Sequence, residues 1–244
     1  MTPGRLVTVA ALLLLVGFLA LPTAFAPLFT PFTKNGQPAI YTQAAIGMLA
    51  VHHLALVLIA TASGSVVALG IAIFVTRPSG REFLPLARTI ANIGQTFPPV
   101  AVLALAVPIL GFGAEPTLVA LFLYGLLPIF ENALAGLTGI APATIEAARG
   151  AGMTETQKLL RVELPLALPT ILTGIRISTV IAIGTATIGS TVAASTLGEV
   201  IIAGLINSNL AFVLQGAVVV GALAMLLNGL LLWLERRLVR GRAG

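Results

Sequence analysis

The chain has 244 residues, 58% of them hydrophobic and 9% charged, with mean hydropathy +1.07. A soluble domain carries roughly 25% charged residues, so the composition excludes a water-soluble fold and points to an all-α polytopic membrane protein of about six spans. The lack of cysteine excludes disulfides, iron–sulfur clusters and thiol catalysis, and the net charge of +5 reads as topogenic charge, not as a nucleic-acid footprint.

The expected spans are 6–26, 45–75, 90–111, 117–138, 168–193 and 210–234. Arg5, a leucine-rich run and Ala24-Phe25-Ala26 have the form of a cleavable signal peptide, but the length of the apolar run favours an uncleaved anchor. Residues 27–44, with Pro27, Pro31, Gly36 and Pro38, read as an extracytoplasmic loop. The second span is longer than the ~20 residues a bilayer needs, so it tilts or protrudes. Its His52 and His53 point about 100° apart on a helix, which prevents them from chelating one metal together. They are expected to be ordinary polar residues.

In the third span Asn92 and Gln95 precede Pro98-Pro99. Two prolines delete two ladder bonds, so the helix should kink or break there and free carbonyls to line a cavity. These four residues are pathway candidates; a kink stabilised only by packing is the alternative. The fourth span carries Glu131-Asn132 near its inner end. An ionised glutamate at a helix centre costs about 2.5–3.5 kcal/mol, so Glu131 either faces the inner mouth of a pathway or pairs with Arg176 or a loop arginine. The fifth span holds Thr179, Thr185, Thr187, Ser190 and Thr191 with Gly184 and Gly189. Such small residues allow close helix contact, or else Thr185 and Thr187 line the pathway. Residues 194–209 contain Glu199, Asn207, Ser208 and Asn209 and fit an outer re-entrant or gating segment. Trp233, at the inner end of the last span, suits the interfacial belt.

With the N-terminus inside, 12 of the 13 Lys and Arg fall at the inner face and only Lys34 falls outside. This bias puts both termini and the loops 76–89 and 139–167 in the cytoplasm, with Arg176, two turns into its span, snorkelling inward. No internal repeat or dividing linker is evident, so residues 1–244 form one domain.

The charged interruption at 141–165 reads as two short helices and a bend. Pro142 suits a first helical turn, and Glu146 and Arg149 can pair across one turn. Gly150 and Gly152 break the helix and permit a sharp turn. Thr154 and Gln157 have capping-box spacing, and Glu155 and Lys158 can pair. Leu159, Leu160 and Val162 give an apolar side, and Leu164-Pro165 ends the second helix. By composition alone the segment could equally lie as an amphipathic loop on the lipid surface.

The order Glu146-Ala147-Ala148, three residues, Gly152, nine residues, Val162, any residue, Leu164-Pro165 resembles the coupling motif of permease subunits of bacterial ATP-binding-cassette importers, with Val162 where isoleucine is commoner. Arg88-Thr89-Ile90 followed by Gly94-Gln95-Thr96-Phe97-Pro98-Pro99, Val107-Pro108-Ile109-Leu110-Gly111-Phe112-Gly113, Leu123-Tyr124-Gly125-Leu126-Leu127-Pro128-Ile129 and Ala193-Ala194-Ser195-Thr196-Leu197-Gly198 are similar to osmoprotectant permeases. With Val75-Thr76-Arg77-Pro78 they are most similar to the low-affinity glycine-betaine branch. The resemblance covers roughly residues 40–234. It implies a type I importer permease fold (MetI-like) in a bacterial inner membrane. It also implies that Glu146, Ala147, Ala148, Gly152, Leu164 and Pro165 couple to a separate ATPase, which holds the ATP and Mg. Further implied partners are a second permease subunit, the same or homologous, and an extracytoplasmic substrate-binding protein.

The residues agree with a borrowed motor. Lys34 and Lys158 follow Thr33 and Gln157, so no G-x-x-x-x-G-K-[ST] exists. Aspartate is absent and no glutamate pair has catalytic spacing, so no enzyme active site and no cofactor of the chain's own are expected. A quaternary ammonium is best held by an aromatic cage, yet Trp233, Tyr41 and Tyr124 lie in different regions. Selection is therefore expected in the separate binding protein, since only ten residues follow Trp233-Leu234. The rivals are an amino-acid permease of the same class, a secondary transporter, which needs intramembrane ion-coupling carboxylates and usually a repeat, and a non-transporting membrane subunit.

Overall fold

The computed structural model describes residues 3–34 and 36–240, and every element among them is helical. Helix α1, Pro3–Ala20, leads through two short 3₁₀ turns and the one-turn helix α2, Ala26–Phe29, to a loop. Then come α3, Ile46–Val75; α4, Leu84–Thr96; α5, Pro99–Leu110; and α6, Ala114–Thr138. The charged segment holds α7, Pro142–Gly150, and α8, Glu155–Lys158. Beyond it lie α9, Leu164–Ala186; α10, Gly198–Ile206; and α11, Leu210–Arg240.

Among the described residues four stretches are long and apolar enough to cross a membrane, and there are six if each of two bent pairs counts as one. Both bends fall where proline withdraws an N–H. Pro22 begins the 3₁₀ turn after Ala20, and the chain turns by 115° there, so the first helix is shorter than the expected 6–26 span. Pro98 and Pro99 separate α4 from α5 with a 95° bend, so the expected 90–111 span is two helices meeting at an elbow.

The centre of the molecule is α6, packed between α3 and α9. Ala68, Ala72, Ile129, Ala133, Ala167 and Ile171 bury the half of this contact nearer the charged segment. Val57, Ala60, Leu121, Ala182 and Ile183 bury the next layer. A Cβ on Gly174 would stand 2.6 Å from the Asn132 Cβ, so the two backbones approach at that glycine as small residues permit. The close contact expected at Gly184 does not form: nothing lies within 4 Å of a Cβ built there. His53 is fully buried between α3 and α9, with Nε2 3.0 Å from the Ile183 carbonyl.

A separate cluster joins α1, α10 and α11 through Leu15, Phe18, Leu197, Val200, Val219 and Leu223. The loop before α3 is fastened to it: Gln37 donates to the Asn207 carbonyl, Asn209 to that of Pro38 and Gln215 to that of Ala39. The Tyr41 hydroxyl donates to Glu199 at 2.8 Å. Burial and that carboxylate push the phenol above its usual range.

Leu164-Pro165 does not end a helix. The span runs unbroken from Glu155 to Val192, instead of beginning at 168. Leu159–Glu163 form a wide π turn in which the Leu164 N–H donates five residues back, to Leu159. That turn has already displaced the ladder, so Pro165 enters the first turn of α9, where a missing N–H removes little.

Candidate functional site

The charged segment is a bent knob whose turn is dictated by Gly152. Helix α7 starts with Pro142 in its first turn, as expected. It ends in a Schellman arrangement: Gly152 N–H donates to Arg149 O at 2.9 Å and Met153 N–H to Ala148 O at 3.2 Å. Gly152 sits at φ +76°, in the left-handed region that costs an L side chain about 1–2 kcal/mol. Gly150 stays inside α7, so Gly152 alone makes the turn. Thr154 then caps α8: Gln157 N–H donates to Thr154 Oγ1 at 3.2 Å and Thr154 N–H to Gln157 Oε1 at 3.0 Å, a complete capping box.

An ion cluster locks the knob to the transmembrane body. Lys158 Nζ lies 2.6 Å from Glu155 and 3.8 Å from Glu163. Glu163 also pairs with Arg77, just beyond α3, and Arg77 lies 4.0 Å from Glu155. The Lys158 and Glu163 side chains are only 3% and 7% exposed, so each charge depends on its partners. The Lys158 hydrogen bond, followed by the Lys158, Arg149 and Arg77 charges, holds the exposed Glu155 carboxyl below its ordinary value. Beside the cluster opens a polar cavity of about 420 Å³ reached by Arg81, Glu146 and Arg149. The expected Glu146–Arg149 pair is not among the ion pairs of the described residues; both side chains are exposed to water, where such a pair contributes little.

Of the motif residues, Glu146, Ala147 and Gly152 are exposed on the knob. Ala148 is buried, and Leu164 and Pro165 are half-buried where the arm enters α9. The outward residues are accessible to another protein, while Leu164 packs against the α3–α6–α9 core.

The second group of candidates gathers at α4 and α6. Ala87, Ala91 and Gly94 face α6 and are the least exposed part of α4. Leu86, Ile90, Ile93 and Phe97 form a separate exposed apolar face, and Arg88, Asn92 and Thr96 an exposed polar one. Glu131 pairs with Arg88, Nε–Oε1 2.7 Å and Nη2–Oε2 3.1 Å, and not with Arg176. Arg176 reaches instead to Asn228 and Glu235 on α11. Gln95 donates to the Tyr124 carbonyl at 3.1 Å, and the Tyr124 hydroxyl donates to the Phe97 carbonyl freed at the Pro98-Pro99 break. Asn132 bonds back to Pro128 O at 2.8 Å. Thr187 bonds to Gly184 O at 2.7 Å, and its carbonyl lies against Gly198. Thr185 is half-buried as the next-to-last residue of α9. Arg88 is the loop arginine that the sequence offered as one partner for Glu131, whereas nothing in the sequence paired Arg77 with Glu163. The partners of Arg77 and Arg88 stand 86 and 43 residues away, and no local pattern marks them.

Residues 64–240 match the family model described as binding-protein-dependent transport system inner membrane component. The chain belongs to this family. It is 43% identical over 186 residues to the osmoprotectant import permease protein OsmY of Salmonella typhimurium, covering 76% of this chain and 79% of that one. It is 39% identical to the choline transport system permease protein OpuBB of Bacillus subtilis, covering 76% and 85%. For the glycine betaine/carnitine/choline permease OpuCB of the same organism the figures are 38%, 76% and 84%. Among solved structures it is similar to an inward-facing MetNI methionine ABC transporter, with TM-score 0.65, 25% identity and coverage of 78% of this chain and 93% of the other. An amino acid ABC transporter solved with histidines gives TM-score 0.65 at 20% identity, covering 90% and 98%. The fold is thus the MetI-like permease fold, in a multi-pass inner-membrane subunit.

Proposed function

We propose that this chain forms half of the membrane pathway of an ATP-binding-cassette importer for osmoprotectants, glycine betaine or related quaternary amines. It pairs with a second copy or a similar chain. Two ATPase subunits, which bind the ATP and Mg, dock on residues 141–165 from the cytoplasm, where both termini also lie. An extracytoplasmic binding protein delivers the solute. The names of the relatives that are 38–43% identical support the solute class.

The observation that carries the mechanical part is the continuity of the arm. From Glu155 to Val192 the helical run is continuous, and the Arg77–Glu163–Lys158 cluster ties its inner end to α3. Ala147 and Gly152 leave the outer surface of the knob low enough for a groove to close over it. When the ATPases close, the two knobs are drawn together. A helix transmits that displacement along its length, so α9 and the packed α3–α6 pair turn as one body and the cavity opens outward.

Gly152→Asp tests this. Nothing lies within 4 Å of a Cβ built at Gly152, so the fold accepts the side chain at the cost of local strain, while a carboxylate intrudes on the docking surface. Insertion should be normal and ATP-driven uptake lost; normal uptake in vesicles overturns the coupling role. Purification of the permease should bring down an ATPase, which a secondary transporter would not. An amino-acid solute is the second reading, motivated by the methionine transporter among the solved neighbours. Betaine rescue of growth at high salt, in a strain lacking other importers, separates the two.

A further inference from the structure

Arg88 and Glu131 hold each other through two parallel hydrogen bonds, yet their side chains remain 48% and 37% exposed in the chain. Glu131 stands seven residues before the end of α6, about 10 Å along the axis from its inner end. A charge turned toward hydrocarbon at such depth costs several kcal/mol. Both residues belong to the side of the α4–α6 pair where Asn92 and Thr96 are also exposed, distinct from the apolar face of Leu86, Ile90 and Ile93. The pair therefore faces the wet space that two permease subunits would enclose.

We infer that Arg88 and Glu131 form a charge-matched transit site for a zwitterionic solute. The guanidinium is a planar fork that fits a carboxylate with two bonds. A quaternary ammonium has no N–H to donate, so it recognises an anion by charge alone, which Glu131 supplies. As the solute arrives, its carboxylate takes over the Arg88 fork and its ammonium settles against Glu131. One ion pair becomes two, no net charge enters the site and neither protein charge is left alone. When the solute leaves, Arg88 and Glu131 close on each other again. A solute with the ammonium and no carboxylate, such as choline, gains only the Glu131 half. This inference rests on the solute class proposed above.

The test is ATP-driven uptake of radiolabelled glycine betaine and choline by the complex of permease, ATPase and binding protein in proteoliposomes. Comparing each variant with the parent cancels the preference of the binding protein. Arg88→Gln should lower the betaine-to-choline ratio about tenfold, the size expected for a lost charge-assisted pair. Arg88→Lys should keep the ratio within about threefold of the parent. The double change Arg88→Gln with Glu131→Gln removes the unpaired charge and decides the case where the parent excludes choline. Betaine uptake should stay low in it, whereas a merely structural pair would be rescued. An unchanged ratio in Arg88→Gln, or rescue in the double variant, overturns the inference while leaving the permease assignment intact. Parent complexes that take up neither compound, or choline alone, overturn the inference too, and uptake of neither also removes the solute class on which it rests.

Discussion

The side-chain amide of Gln95 donates to the main-chain carbonyl of Tyr124 at 3.1 Å, and this is the carbonyl that Pro128 deprives of its helical partner. Proline at position i removes the hydrogen bond to i−4, so a proline in α6 creates the acceptor that a residue on α4 fills. Gln95→Ala should leave that carbonyl unpaired and cost about 1–3 kcal/mol. In a Pro128→Ala background the helix supplies its own N–H and Gln95→Ala should cost little. A double-mutant cycle on the apparent Tm of the purified permease checks this; additive effects would mean that the two residues are independent.

Glu163 neutralises two cations at once, Arg77 and the nearly buried Lys158. Glu163→Gln keeps the shape and leaves Arg77 and Lys158 to share the exposed Glu155 carboxylate alone, which should cost about 3 kcal/mol. It should also reduce uptake more than ATP hydrolysis, because the knob loses its tie to α3. Adding Arg77→Gln should recover part of the stability and none of the coupling. Parallel measurements of uptake and ATPase activity on one preparation provide the comparison.

Glu155 gives a pH signature. Lys158, then Arg149 and Arg77, hold its carboxyl below the ordinary 4.5. A depressed carboxylate contributes stability that is present above its unfolded pKa and lost as pH falls through the lower folded one. The difference in apparent Tm between the parent and Glu155→Gln should be constant above about pH 5 and shrink below about pH 4. A difference that grows on acidification would contradict the ion-pair geometry.

Two glycines of one helix should respond oppositely. A Cβ at Gly174 meets the Asn132 Cβ at 2.6 Å and the Pro128 carbonyl at 2.7 Å, whereas a Cβ at Gly184 meets nothing. Gly174→Ala should force α6 and α9 apart at about 1–3 kcal/mol. Gly184→Ala should be neutral or stabilising by up to about 1 kcal/mol, since alanine loses less entropy in a helix. Thermal stability in detergent ranks the two.

What the sequence determined by itself is local. Hydropathy marked the apolar stretches, the adjacent prolines at 98 and 99 marked the α4–α5 elbow, and Thr154 with Gln157 marked a helix start. In each, the deciding atoms lie within a few residues of one another, where backbone geometry leaves few options. The position of the knob was legible for the same reason: charges cannot remain in hydrocarbon, so 141–165 had to leave it.

Tertiary structure decided what crosses the chain. Pro165 read as a stop, because the single-helix rule has no place for a π turn that moves the ladder before the proline arrives. Glu131 chose Arg88 over Arg176, and Glu163 chose Arg77 across 86 residues. Gly174, not Gly184, became the contact point of two helices. Charge pairing and close packing act through space, and only the folded chain fixes which side chains share it.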